Sequence, residues 1–316
     1  MKPAHVALAV VVAAVWGVNF VVIDVGLSDF PPLLFSAVRF TLAAVPAVFF
    51  VGRPRVAWRW VLAVGIALGV LKFGFLFMGM DSGMPSGMAS LVLQGQAVFT
   101  LLFAALLLRE RPRRAQVAGM VMATAGIVVA GTDSGAAGPL GPFLMVVAAA
   151  AFWGVSNIAM RKASPPDMFR FMVWVSVVPP IPLALISVPY EGWHKDITAL
   201  RDISWGGAGA ALYVAWGATL FGFGVWGFLL RTYDSPTVAP FSLLVPVFGL
   251  AAAWVFQGER MTLTTSFAAA LVVVGIAVGM LRPGSVPFLR RGAPVPAAAA
   301  VGVPATTPAA EDAPAA

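Results

Sequence analysis

Ten apolar stretches of about twenty residues follow one another along this chain, with nearly every charge confined between them. They fall near residues 5–27, 32–52, 57–80, 84–108, 115–132, 141–160, 168–189, 206–230, 236–257 and 263–282. Hydrocarbon offers a backbone no water to bond, so a spanning segment satisfies its peptide groups within itself, as a helix. The expected fold is therefore an all-α membrane protein of ten transmembrane helices. Composition agrees. Only 10% of the 316 residues are charged, against roughly 25% in soluble domains, and 60% are hydrophobic, with a mean hydropathy of +0.92. The lipid bilayer is the partner this implies. The first stretch, behind Met1-Lys2-Pro3, is too long for a signal-peptide core and reads as a retained helix.

The chain has no cysteine, which removes disulfides, iron–sulfur clusters and thiol catalysis. Its net charge of +7 sits in short loops, not in a basic patch interleaved with aromatics, so nucleic acid is not an expected partner. The same charges set an orientation. With the N-terminus inside, the inner loops and termini hold fifteen of the 20 Lys and Arg residues, among them Arg53, Arg55, Arg109, Arg111, Arg113 and Arg114. The outer loops hold three, Lys195, Arg201 and Arg260, and Arg39 and Lys72 fall inside helices. Positive loops stay cytoplasmic, so both termini are expected there, with an even number of spans.

The chain also repeats itself. Trp16-Gly17-Val18-Asn19 recurs as Trp153-Gly154-Val155-Ser156-Asn157, and Arg109-Glu110-Arg111 as Gly258-Glu259-Arg260. Sixteen residues after each Glu comes a Gly-Ile pair, Gly126-Ile127 and Gly275-Ile276. The expected repeats are 1–132 (helices 1–5) and 133–285 (helices 6–10). Five is odd, so the second is inverted relative to the first, and the substrate site is expected near the midplane between them. Residues 286–316, rich in Pro, Ala and Val, read as a disordered cytoplasmic tail.

Specific motifs carry a family resemblance over nearly everything up to residue 282. They are Trp16-Gly17-Val18-Asn19-Phe20-Val21-Val22-Ile23 with Gly26-Leu27, Pro31-Pro32-Leu33-Leu34-Phe35 with Arg39-Phe40, the run from Gly83-Met84-Pro85-Ser86 to Gln94 with Gln96-Ala97, and Val238-Ala239-Pro240 continuing to Pro246. With them the chain resembles the EamA-type transporters of the drug/metabolite transporter superfamily, and within these the exporter of cysteine and O-acetylserine. The resemblance implies a ten-helix fold, export of small amino-acid-like metabolites by alternating access, and a prokaryotic plasma membrane.

The residues themselves point to a pocket. Charges within a bilayer are costly and usually face the bundle interior. Arg39 lies eight residues after Pro31 and Lys72 eight before Met80, each about 12 Å below the outer edge at 1.5 Å per residue. Asn19 shares that depth and Gln94 lies slightly deeper. Lys72 and Arg39 are expected to take a substrate carboxylate, and Asn19 and Gln94 its polar groups. Arg39 could instead bond helix carbonyls or Gln residues as interhelical glue. Trp16 and Trp153, each near an Asn (Asn19, Asn157), are candidate gates or ordinary packing. Tyr213, Trp216 and Trp226 are candidates for the second-repeat wall or for core filling. Pro240 and Pro246 should bend or break helix 9. Glu110 and Glu259 are expected to cap helices or pair with Arg.

No acid lies deep in a helix, so no proton relay is visible and a facilitator or exchanger is the simpler expectation. A Lys72 that gains and loses its proton would be the remaining route to proton coupling. No metal or cofactor is expected. An intramembrane enzyme would need a nucleophile with a base, a metal cluster or paired acids within the helices. Exporters of other small metabolites or drugs, such as purines or toxic cations, are the alternative within transporters, though a drug site should favour an acid over a buried Lys. The choice between monomer and homodimer stays open.

Overall fold

The computed structural model describes residues 1–133, 138–233 and 235–281. The expected tail, and the inner charges Arg282, Arg290 and Arg291, lie outside the described residues. The described chain is helical, without strands. Its helices are α1 (Pro3–Leu27), α2 (Pro32–Val48), α3 (Trp58–Asp81), α4 (Ser86–Leu107), α5 (Arg114–Thr132), α6 (Leu140–Ala163), α7 (Met168–Arg201), α8 (Trp205–Thr232), α9 (Ala239–Gln257) and α10 (Leu263–Met280). Among the described residues nine of these are long and apolar enough to cross a membrane, and α2, at 17 residues, is the shorter tenth. It stops at Val48 where the sequence suggested residue 52. Pro46 removes a donor from its last turn, and the exposed Phe49 and Phe50 carry the apolar surface onward as a turn.

The larger departure is α7. Its apolar stretch was expected to end near 189, but the chain bends at Val178 and Pro179, runs to Gly192, and there changes direction with φ at +102°. A further helical piece, Trp193–Arg201, follows. Its polar residues read as loop, yet Trp193, Ile197 and Leu200 are exposed while Asp196 is buried.

Helices α3 and α8 each contain a wide π-helical stretch, Gly65–Lys72 and Tyr213–Phe221, in the same place along the helix. Helices α4 and α9 each contain a tight 3-10 stretch, Leu93–Gly95 and Ala239–Leu243. Pro240 lies in the tight stretch of α9, as expected, whereas Pro246, also expected to bend or break the helix, sits in the first turn of the regular piece Leu244–Gln257, where a missing donor costs little. At the start of the π stretch of α3 a Cβ on Gly65 would lie 2.5 Å from Val178 Cβ, so the bend of α7 packs against bare backbone there.

The main packing pairs are α1 with α8 and α9, α6 with α3 and α4, α2 with α7, and α5 with α10. Exchanging each helix for the one five places away turns this set into itself. Glycines make the closest approaches. A Cβ on Gly17 would meet the Val245 carbonyl of α9 at 2.7 Å, and one on Gly154 would meet Phe99 Cβ of α4 at 2.8 Å. Gly119 and Gly275 bring the backbones of α5 and α10 together, beside Gly279.

Candidate functional site

The site begins with two buried cations. Arg39 of α2 is 2% exposed and Lys72, at the end of the π stretch of α3, is 4% exposed. Both sit on one ring. The Lys72 Nζ is 3.2 Å from the Phe73 centroid and the Arg39 guanidinium carbon 3.8 Å from it. The two charges are therefore no farther apart than those distances added. Phe40 lies 4.3 Å from the guanidinium carbon and Trp153 of α6 lies 4.7 Å from the ammonium. Each ring contact offsets part of the burial cost, by about 0.5–2 kcal/mol. Two like charges no more than about 7 Å apart at an effective dielectric of about 20 repel by roughly 2 kcal/mol or more, so the rings do not settle the account.

Hydrogen bonding leaves several buried polar atoms of these helices without partners among the described residues. Arg39 Nη2 donates to Thr219 Oγ1 of α8 at 3.0 Å, and that hydroxyl donates to the Val214 carbonyl at 2.9 Å within the π stretch. The Nε and Nη1 of Arg39 are buried with no partner among the described residues, and neither has the Oδ1 of Asn19. No hydrogen bond or ion pair reaches the Lys72 ammonium among the described residues.

The other residues singled out from sequence divide by what they bond. Gln94, in the tight stretch of α4, donates to the Ser242 carbonyl in the tight stretch of α9 at 3.3 Å. Asn157 donates to Gln96 Oε1 at 2.7 Å and Thr100 Oγ1 at 2.9 Å, fastening α6 to α4. The Trp16 indole donates to the Ala218 carbonyl at 2.8 Å and packs against Phe223 and Trp226. Tyr213 donates to the Val15 carbonyl at 3.0 Å, joining α8 to α1. Trp216 is half-exposed, its indole on the Leu42 carbonyl at the seam of α8 and α2. Lys72, Arg39 and Trp153 are thus brought together, whereas Asn157, Trp16, Tyr213 and Trp216 act as fasteners. Sequence reasoning missed Phe73 and Thr219. Phe73 reads as one more apolar residue, and its only signal is its place between Lys72 and the Phe77 turn.

Both ends of the bundle are laced between the halves. At one end Glu191 accepts from the Leu33 and Leu34 amides at 2.6 and 3.1 Å, and Glu259 accepts from the Gly87 amide at 3.1 Å. Asp24 accepts from Gln257, Asp29 from the Ser204 amide and hydroxyl, and Asp133 from Thr262 and Thr265. Glu191 and Glu259 meet the amide-rich starts of α2 and α4, where anions are favoured. Burial pushes the Glu259 carboxyl above its ordinary 4.5; the amides of Gly87 and Ser86 pull the other way, and Asp24 adds to the rise. At the other end His5 and the Lys2 amide meet the Tyr233 hydroxyl, Trp174 donates to the Gly52 carbonyl, and Arg161 pairs with Glu110 at 2.7 Å. The two Glu residues of the repeated motif thus cap a helix and pair with an Arg, as expected.

Fold and site define a multi-pass helical membrane protein with a buried cationic layer among its helices. The chain belongs to the EamA-like transporter family, whose model matches residues 4–132 and again 140–281. It is 41% identical to a probable amino-acid metabolite efflux pump of Salmonella typhimurium over 86% of this chain and 93% of that protein. A protein of the same description from Escherichia coli K12 is 39% identical over the same shares. A probable terminal-alkyne amino-acid exporter of Streptantibioticus cattleyicolor is 27% identical, over 87% of this chain and 93% of its own. One solved crystal structure shares the fold with a TM-score of 0.60 at 21% identity, covering 88% of this chain and 96% of that one. Family and relatives point to a transporter of small molecules embedded in a membrane, rather than to an enzyme.

Proposed function

We propose that this protein exports small amino-acid-like metabolites, of the cysteine and O-acetylserine type, by alternating access between its two halves. The observation that carries the reading is the pair Lys72 and Arg39, buried on one Phe73 ring with no acid paired to them among the described residues. A carboxylate entering this layer meets fixed positive charge, which offsets part of its own desolvation. Asn19 Oδ1, buried and without a partner among the described residues, is the acceptor assigned to the amino group, while Gln94 ties α4 to the Ser242 carbonyl of α9. The paired irregular stretches of α3 and α8, and of α4 and α9, support two inverted repeats that rock about this layer. The repeats are residues 1–132 and 133–285, the protein sits in a prokaryotic inner membrane, and the excess of inner Arg and Lys puts both termini in the cytoplasm. The names of the relatives support the metabolite class.

Counterflow in proteoliposomes tests this. Vesicles preloaded with unlabelled cysteine, O-acetylserine or a neutral amino-acid panel are offered the labelled compound. Accumulation driven by a matching internal load supports the reading. Folded protein that shows no counterflow with any amino acid contradicts it.

A further inference from the structure

The buried layer asks for more than one carboxylate. Arg39 presents Nε and Nη1, both buried and without an acceptor among the described residues, and Lys72 presents an ammonium with rings around it and no acceptor. An Arg fork suits one planar acidic group and an ammonium takes a second as a point charge. Among the other unpartnered buried atoms, which include Ser36 Oγ one turn before Arg39, Asn19 Oδ1 is an acceptor and so calls for a donor. Protein acids do not supply the missing charge. Helices α2, α4, α6, α8 and α9 contain none. The acid of α1, Asp24, is held by Gln257, and that of α3, Asp81, is exposed at its helix end. On α7, Glu191 is engaged by the start of α2 and Asp196 by Ser187.

We infer that the preferred cargo is an amino acid bearing a second acidic group, one acid on the Arg39 fork, the other on Lys72, and the amino group on Asn19. The inference rests on the amino-acid export reading and narrows it: neutral zwitterions such as O-acetylserine are carried but bind more weakly. Lys72 and Arg39 share one ring, so the two acids must lie within a few carbons of each other, as in aspartate or cysteine sulfinate.

The test is ligand-dependent thermal stabilisation of the purified full-length protein at constant pH and ionic strength. L-aspartate and L-cysteine sulfinate are titrated beside L-serine and O-acetylserine. The expected half-saturating concentration is about tenfold lower for the acidic pair, a difference worth about 1.4 kcal/mol. In Lys72→Gln, with one cation removed, the advantage should shrink to about twofold or less; native-protein titrations stand alone if that variant does not fold. Neutral amino acids that stabilise the native protein as well as the acidic ones overturn the inference and leave amino-acid export standing. Stabilisation by none of the four overturns both.

Discussion

Gln94 donates its side-chain amide to the main-chain carbonyl of Ser242 at 3.3 Å, and so joins the tight stretch of α4 to the tight stretch of α9. Both partners lie where their helices leave regular geometry, which frees backbone groups for such bonds. Replacing Gln94 with Leu removes the donor and leaves the Ser242 carbonyl to its own helix. A loss of about 1 kcal/mol in stability is expected, in line with a single neutral hydrogen bond. Transport should slow more than substrate affinity falls, and initial-rate counterflow over a range of concentrations separates the two.

The close helix crossings at the repeated Trp-Gly motif predict two matched failures. Gly17→Val and Gly154→Val each drive a side chain into the facing helix, α9 or α4, where even a Cβ would already be too close. Overpacking of this kind typically costs about 1–3 kcal/mol. Gly141→Ala, with nothing within 4 Å of the new Cβ, is the control and should leave the melting temperature nearly unchanged. Thermal unfolding of the three variants side by side checks this.

Thr219 gives Arg39 its one hydrogen-bond acceptor among the described residues. Thr219→Val keeps the shape and removes the hydroxyl. Hydrogen bonds to charged groups contribute about 1.5–3 kcal/mol, so a loss in that range is expected. Substrate should restore part of it by supplying an acceptor, which a melting curve with and without ligand would register.

Glu259 predicts a pH dependence. Its carboxyl is raised above 4.5 in the folded protein, so the folded state holds that proton more tightly than the unfolded chain. The stability this gives is complete below about 4.5 and is lost as pH rises through the raised value. Glu259→Gln carries no proton to lose. Melting temperatures measured from pH 4 to 8 should fall more steeply with rising pH in the native protein than in the variant.

Much of the fold was legible because a bilayer is a severe solvent: ten apolar stretches and loops full of Arg leave little choice of secondary structure. The break in α9 was legible too, since Pro240 lacks a donor. The π stretch of α3 was not: the residues packed on it, Val178 and Pro179 against Gly65 and Gly69, come from another helix and leave no mark in its own sequence. Trp193–Arg201 was missed because its polar residues resemble a loop until Asp196 turns inward onto Ser187. In the candidate site, depth along each helix grouped Arg39 with Lys72. Depth says nothing of azimuth, so it could not separate Trp153, under the ammonium, from Trp216 at the seam of α2 and α8.

On the proposed reading Lys72 and Arg39 together bind the acidic groups of the cargo. The most direct measurement is the concentration dependence of counterflow for Lys72→Gln beside the native protein, with folding of both verified by size-exclusion chromatography. A half-saturating substrate concentration raised about tenfold or more, as loss of a charge-assisted contact requires, is the predicted result. An unchanged half-saturation in folded Lys72→Gln would contradict the account.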